Sequence, residues 1–165
     1  VDVKRTQEFK DWIDDLKDVV GRMRILARIR RLADGNPGDH RNLYYTQRGG
    51  EVVILQPRMV RSEDAMAMNK KTRLETFDVA EHLRTPHEMA AYLDACIIES
   101  DGDAAFIAKA LGDIARAQGM SKVARDAGLS RESLYRALSG ERSRDFATIL
   151  KVTRALGVTL HASAA

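Results

Sequence analysis

The chain has 165 residues, 44% apolar and 31% charged, with 27 Lys and Arg against 24 Asp and Glu. That length admits one ordinary domain or two small ones, and the composition is that of a soluble globular protein, not a disordered one. The apolar runs are too short to span a bilayer, Val1-Asp2-Val3-Lys4 carries no signal-peptide core, and one cysteine excludes an intrachain disulfide, so a cytoplasmic protein is expected.

Residues 6–18 read as a short helix: Thr6 is a candidate N-cap, and Phe9, Trp12, Ile13 and Leu16 recur at helical spacing. A second helix is predicted over 20–34, with Met23, Leu26, Ala27, Ile29 and Leu32 inward and an Arg-rich outer face, stopped by Asp34-Gly35-Asn36-Pro37-Gly38-Asp39. Tyr44-Tyr45-Thr46 and Val52-Val53-Ile54-Leu55, joined across Arg48-Gly49-Gly50, predict a β-hairpin. Residues 56–78 have no strong period and read as a junction.

From there the pattern is helical. Thr85-Pro86-His87-Glu88 combines an N-cap, a proline at the first position and a glutamate at the third, opening a helix to about Glu99. Cys96, in Ala95-Cys96-Ile97-Ile98, reads as a buried thiol and not a nucleophile. Asp103 caps the next helix, with Phe106, Ile107, Ala110, Leu111, Ile114 and Ala115 inward and an end near Gly119. Asp145 opens a last helix with Phe146, Ile149, Leu150, Val152 and Leu156 inward, closed by Gly157, and Val158-Thr159-Leu160-His161 suggests a final strand.

Between these lies a helix-turn-helix pattern, Met120 to Leu138. Ser121 is expected to cap its first helix; Val123, Ala124 and Ala127 face inward; Gly128 allows the left-handed backbone of a tight turn; Leu129 plugs the core; Ser130 caps the second helix; and Leu134 and Leu138 bury its inner face. Arg131, Glu132, Ser133, Tyr135 and Arg136 are left outside, at positions that reach base edges in the major groove in this motif. Lys122, Arg125, Arg142 and Arg144 suit phosphate contacts, and Ser121 and Ser130 complete the expected DNA-binding set. Charge agrees: residues 70–115 carry five basic and nine acidic side chains, and 116–154 carry nine basic and four acidic. The four histidines (His40, His82, His87, His161) are scattered, no metal-ligand cluster or phosphate-cradling loop is found, and no metal or cofactor is expected.

Ala80-Glu81-His82-Leu83-Arg84-Thr85, Ala90-Ala91-Tyr92-Leu93-Asp94-Ala95, Leu111-Gly112-Asp113-Ile114-Ala115-Arg116-Ala117, Gly128 through Leu138, and Phe146-Ala147-Thr148-Ile149-Leu150-Lys151-Val152 together resemble the addiction-module antidote proteins. These are the HigA-type antitoxins, and the likeness covers about residues 67–162. The N-terminal part resembles the HigB-type toxins (addiction-module killer proteins) of the RelE/ParE superfamily. It does so through Glu8-Phe9-Lys10-Asp11-Trp12-Ile13, Ala27-Arg28-Ile29-Arg30-Arg31-Leu32-Ala33, Gly35-Asn36-Pro37-Gly38-Asp39 and Tyr44-Tyr45-Thr46-Gln47-Arg48-Gly49. That resemblance implies two helices on a small antiparallel sheet and, in a complete toxin, a ribonuclease acting on translated mRNA at the ribosome. The family's basic strand, with its Tyr-Gly-Pro-Gly-Tyr-Arg-like stretch, has no counterpart where Asn42-Leu43 runs into Tyr44, and the later Lys- and Gln-rich segment and closing helix are also missing. Catalytic residues therefore stay unassigned. His40, Arg41, Arg48 and Arg58 are candidate RNA contacts at most.

The expected fold class is mainly α. A RelE-like α+β part (residues 1–60, two helices plus a β-hairpin) leads through a junction (61–78) into an all-α, lambda-repressor-like helix-turn-helix domain (79–165). The expected partners are duplex operator DNA, as a pseudo-palindrome bound by a homodimer formed through the antitoxin half, and a toxin contacted within or between chains. Acidic residues of 75–103 against the Arg-rich stretch 22–31 would serve that contact. A stand-alone repressor with a structural N-terminal extension and an active ribonuclease are the alternatives.

Overall fold

The computed structural model describes residues 2–35, 44–48, 51–55, 73–141 and 145–162. The chain divides into two units, Val1–Asp78 and Val79–Ala165.

In the N-terminal unit, strand β1 (Val3–Arg5) leads into helices α1 (Gln7–Asp15) and α2 (Val19–Ala33), then strands β2 (Tyr44–Arg48), β3 (Glu51–Leu55) and β4 (Glu75–Thr76). Thr6 caps α1 as expected, its hydroxyl accepting from Phe9 N–H at 3.2 Å, but the helix ends at Asp15 instead of reaching 18. The reason is that Asp18 starts α2, accepting from Gly21 N–H at 3.0 Å. The five apolar residues expected inward on α2 are buried. Its arginines divide: Arg24 is exposed, as an outer face requires, and the others are not. Arg22 is buried and donates to Asp14 O at 3.4 Å, and Arg28, Arg30 and Arg31 are half-buried.

The β2–β3 hairpin pairs antiparallel, with Tyr44 opposite Leu55 and Arg48 opposite Glu51; Gly49 and Gly50 lie outside the described residues. Two strands escape the sequence reading. β1 runs parallel to β3, Val3 opposite Val52, and β4 pairs antiparallel to β1, giving the order β2-β3-β1-β4. The sheet is thus mixed, not wholly antiparallel. Three residues carry too little pattern to be read as a strand alone; β1 exists because Val52–Leu55, buried and strongly β-forming, offers it an edge.

In the C-terminal unit a 3-10 turn (Val79–His82) precedes α3 (Pro86–Glu99), α4 (Ala104–Gln118), α5 (Met120–Asp126), α6 (Arg131–Leu138) and α7 (Phe146–Ala155). The opening of α3 is a complete capping box: Glu88 N–H donates to Thr85 Oγ1 at 3.2 Å, and Glu88 Oε2 accepts from Thr85 N–H at 2.9 Å and Arg84 N–H at 2.8 Å. Asp103 caps α4 through Ala105 and Phe106 N–H. The 3-10 turn and α3, α5, α6 and α7 all pack against α4. That central place explains its sequence: Ala108, Ala110, Leu111, Ile114 and Ala115 are all buried, small residues letting neighbours approach.

The last helix departs from expectation. Val152 and Leu156 are buried, but Phe146 and Leu150 are 66% and 42% exposed, and Ile149 is half-buried. Thr153 takes the inward place instead, its hydroxyl donating to Leu150 O at 3.1 Å. α7 meets α4 and α5 along its C-terminal half, where Gln118 Nε2 donates to Leu156 O at 2.9 Å, while Phe146, Ile149 and Leu160 line a cleft of about 620 Å³ beside α3 and α4. Residues 158–162 belong to no strand, since among the described residues of this unit there is no strand to pair with.

Asp113, 2% exposed, accepts from Tyr92 Oη at 2.9 Å and pairs with Arg116 Nη2 at 2.7 Å. Removal from water, then the Cys96 thiol and the Asp113 carboxylate beside it, push the Tyr92 phenol well above its ordinary value of 10. Below that value the buried neutral phenol contributes its full stability, and above it the unfolded chain ionises first, so stability falls as pH rises. Tyr92→Phe should cost about 1.5–3 kcal/mol at neutral pH for the lost hydrogen bond to a carboxylate. In denaturant titrations above about pH 10, the variant should then lose stability less steeply than the native chain.

Candidate nucleic-acid interface

Gly119 (φ 97) ends α4 and starts α5, its carbonyl accepting from Lys122 N–H (3.0 Å) and Val123 N–H (3.1 Å). This corrects the expected role of Ser121: the helix begins two residues earlier than a Ser121 cap would place it, no side chain caps it, and Ser121 is an exposed residue of its first turn. Val123, Ala124 and Ala127 are buried as expected. Gly128 sits at φ 67 and Leu129 N–H reaches back to Ala124 O at 2.9 Å, so the left-handed glycine ends α5 and turns the chain toward α6. Leu129 is only half-buried, and the core between α5 and α6 is closed by Leu134, Ala137 and Leu138. Ser130 caps α6, accepting from Ser133 N–H at 3.0 Å while its hydroxyl donates to Ser133 Oγ at 2.8 Å.

With its inner face so occupied, α6 presents Arg131, Glu132, Ser133, Tyr135 and Arg136 to solvent. Two pairs, each four residues apart, order that face. The Arg131 guanidinium lies 5.5 Å from the Tyr135 ring centre and donates to its hydroxyl at 3.4 Å; Arg136 Nη2 pairs with Glu132 Oε1 at 2.7 Å. On α5, Lys122 Nζ pairs with Asp126 Oδ2 at 2.9 Å, and Ser121 and Arg125 are exposed. Exposed ion pairs of this kind are worth a few tenths of a kcal/mol, so Lys122 and Arg136 can exchange their carboxylates for a phosphate or a base edge at small cost. The Asp126 and Glu132 partners went unnoticed in the sequence, although their spacing of four from Lys122 and Arg136 is the available signal. Arg142 and Arg144 lie outside the described residues.

Other chemistry is sparse. His82 is buried and His87 exposed, Cys96 is a buried free thiol, and among the described residues no group of His, Cys, Asp and Glu gathers at metal-holding distance. No helix among them is long and apolar enough to cross a membrane.

Residues 73–164 match the family model described as "probable addiction module antidote protein", which is more than half of the chain. The chain belongs to the addiction-module antidote family. A Haemophilus influenzae relative, described as an uncharacterized protein, is 51% identical over 86 residues, covering 52% of this chain and 87% of the relative. No solved structure matches the chain. The antidote-family stretch thus holds α5, α6 and the Gly128 turn between them, together with β4 at its start.

The turn gives a direct test. A Cβ on Gly128 would meet nothing within 4 Å, so Gly128→Ala adds only backbone strain at φ 67. The expected loss is about 1–2 kcal/mol, with a smaller one for Gly128→Asn, measured by chemical denaturation.

Proposed function

We propose that the antidote-family stretch is the antitoxin of a toxin–antitoxin pair and that its C-terminal unit represses its own operon by binding operator DNA through α5 and α6. The observation that carries this reading is the shape of α6: one side buried by Leu134, Ala137 and Leu138, the other an exposed face of Arg131, Ser133, Tyr135 and Arg136 behind a tight glycine turn. In helix-turn-helix proteins such a face enters the major groove, where an arginine can bridge guanine O6 and N7. Lys122, Arg125, Arg142 and Arg144 would contact phosphates, fixing register without reading sequence. A single eight-residue helix reads few base pairs, so the reading carries a two-fold homodimer on a pseudo-palindrome.

The toxin partner belongs to the same proposal. Family membership supports a toxin as the antidote's target, and the HigB-like motifs of residues 1–60 support the N-terminal unit as the remnant of such a toxin, neutralised within or between chains.

Selection from a random duplex library with the full chain should enrich two half-sites about one helical turn apart. The double variant Arg131→Ala, Arg136→Ala should lose that enrichment while keeping its melting temperature; unchanged specific affinity would remove α6 as the reading helix. Lys122→Ala should weaken binding to all sequences alike and lower the slope of log affinity against log salt by about one.

A further inference from the structure

The antidote-family stretch begins at residue 73, yet its first residues are built into the sheet of the N-terminal unit. β4 lies along β1 with Arg5 opposite Glu75 and Lys4 opposite Thr76, and Phe77 N–H donates to Val3 O at 2.9 Å. Directly opposed residues share a face, so both faces of the segment are recognised. On one, Arg5, which is 3% exposed, holds Glu75 Oε2 at 3.0 Å, and the Phe77 ring stands edge-on to Phe9 with centroids 6.2 Å apart. On the other, Lys4 Nζ donates to Thr76 Oγ1 at 3.1 Å.

A two-residue strand has too few backbone bonds to persist alone, and its partner lies about seventy residues earlier in the chain. The side-chain anchors must therefore select it. Without β4 the outer edge of β1 would be an open row of donors and acceptors, the kind of surface that takes an extended peptide as an added strand.

We propose that the β1 edge is a strand-docking site for an extended peptide with an acidic side chain facing Arg5 and an aromatic ring two residues on, and that Arg73–Phe77 is its ligand. The opening of the antidote-family stretch then holds to residues 2–55 without needing the peptide bonds between them. This goes beyond operator reading and does not rest on it.

The test uses the full chain with a specific protease sequence inserted between residues 62 and 63, cut to completion as verified by mass. The two pieces should elute together at the position of the uncut chain; separation of the pieces overturns the proposal. Glu75→Arg sets two like charges face to face and should weaken association of the cut pieces by about tenfold or more, with Phe77→Ala acting in the same direction. Arg5→Glu combined with Glu75→Arg should restore most of it. Unchanged association in both single variants overturns the assignment of β1 as the site. In the uncut chain, the Phe77 amide should be protected from hydrogen exchange and lose that protection in Phe77→Ala, while the β3 amides keep theirs. A Phe77 amide that exchanges freely in the native chain also overturns it. Operator binding by the cut chain is a separate readout, and its loss without separation of the pieces bears on the DNA proposal alone.

Discussion

Asp113 is a carboxylate on the helix against which every other helix of the C-terminal unit packs, and it is 2% exposed. A charge so placed is costly unless it is met locally, and losing one hydrogen bond to such a carboxylate typically costs about 1.5–3 kcal/mol. Tyr92 from α3 and Arg116 from α4 itself meet it, at 2.9 and 2.7 Å. The pairing fixes the rotation of α3 against α4, and with it the platform on which α5 and α6 stand. An apolar contact could slide; a buried hydroxyl-to-carboxylate bond has one good geometry.

From that platform the candidate interface follows by subtraction. α4 supplies a floor of small and branched side chains, α5 covers it with Val123 and Ala124, and α6 with Leu134, Ala137 and Leu138. What remains on α6 is polar because nothing in the unit covers it. The two four-residue pairs, Arg131 with Tyr135 and Glu132 with Arg136, order exposed long side chains along the helix, which lowers the entropy lost when they meet a partner. The single acidic member, Glu132, tempers the charge of that face, so the proposed DNA binding would depend on exchange of that carboxylate for nucleic acid and respond strongly to salt.

The N-terminal unit is organised by a different constraint, the need of β3 for neighbours on both sides. β2 pairs on one side of it and β1, from the first residues of the chain, on the other, and β4, from the start of the antidote-family stretch, covers the outer edge of β1. Arg5 is the side chain that makes this arrangement specific: it lies on the buried face of β1 and Glu75 answers it. The family boundary and the physical boundary of the two units therefore do not coincide, residues 73–78 belonging to the first by packing and to the second by descent.

Sequence alone determined what depends on neighbours within a few positions. The Thr85–Glu88 capping box, the Asp103, Ser130 and Asp145 caps, the Gly128 turn and the inward stripes of α2 and, the half-buried Ile107 apart, α4 are local hydrogen bonds and periodicities, and the structure keeps them. Tertiary structure decided the rest. β1 and β4 exist only through partners about fifty and seventy residues away, so neither has a local signature. Phe146 and Leu150 have the spacing of core residues, but α7 meets its neighbours along its other end, and Val158–His161 has the composition of a strand with no partner in its own unit. Ser121 could cap a helix, and Gly119 takes the position because the chain leaving α4 turns there first. Periodicity tells which face of a helix is apolar; only packing tells how much of that face finds something to cover it.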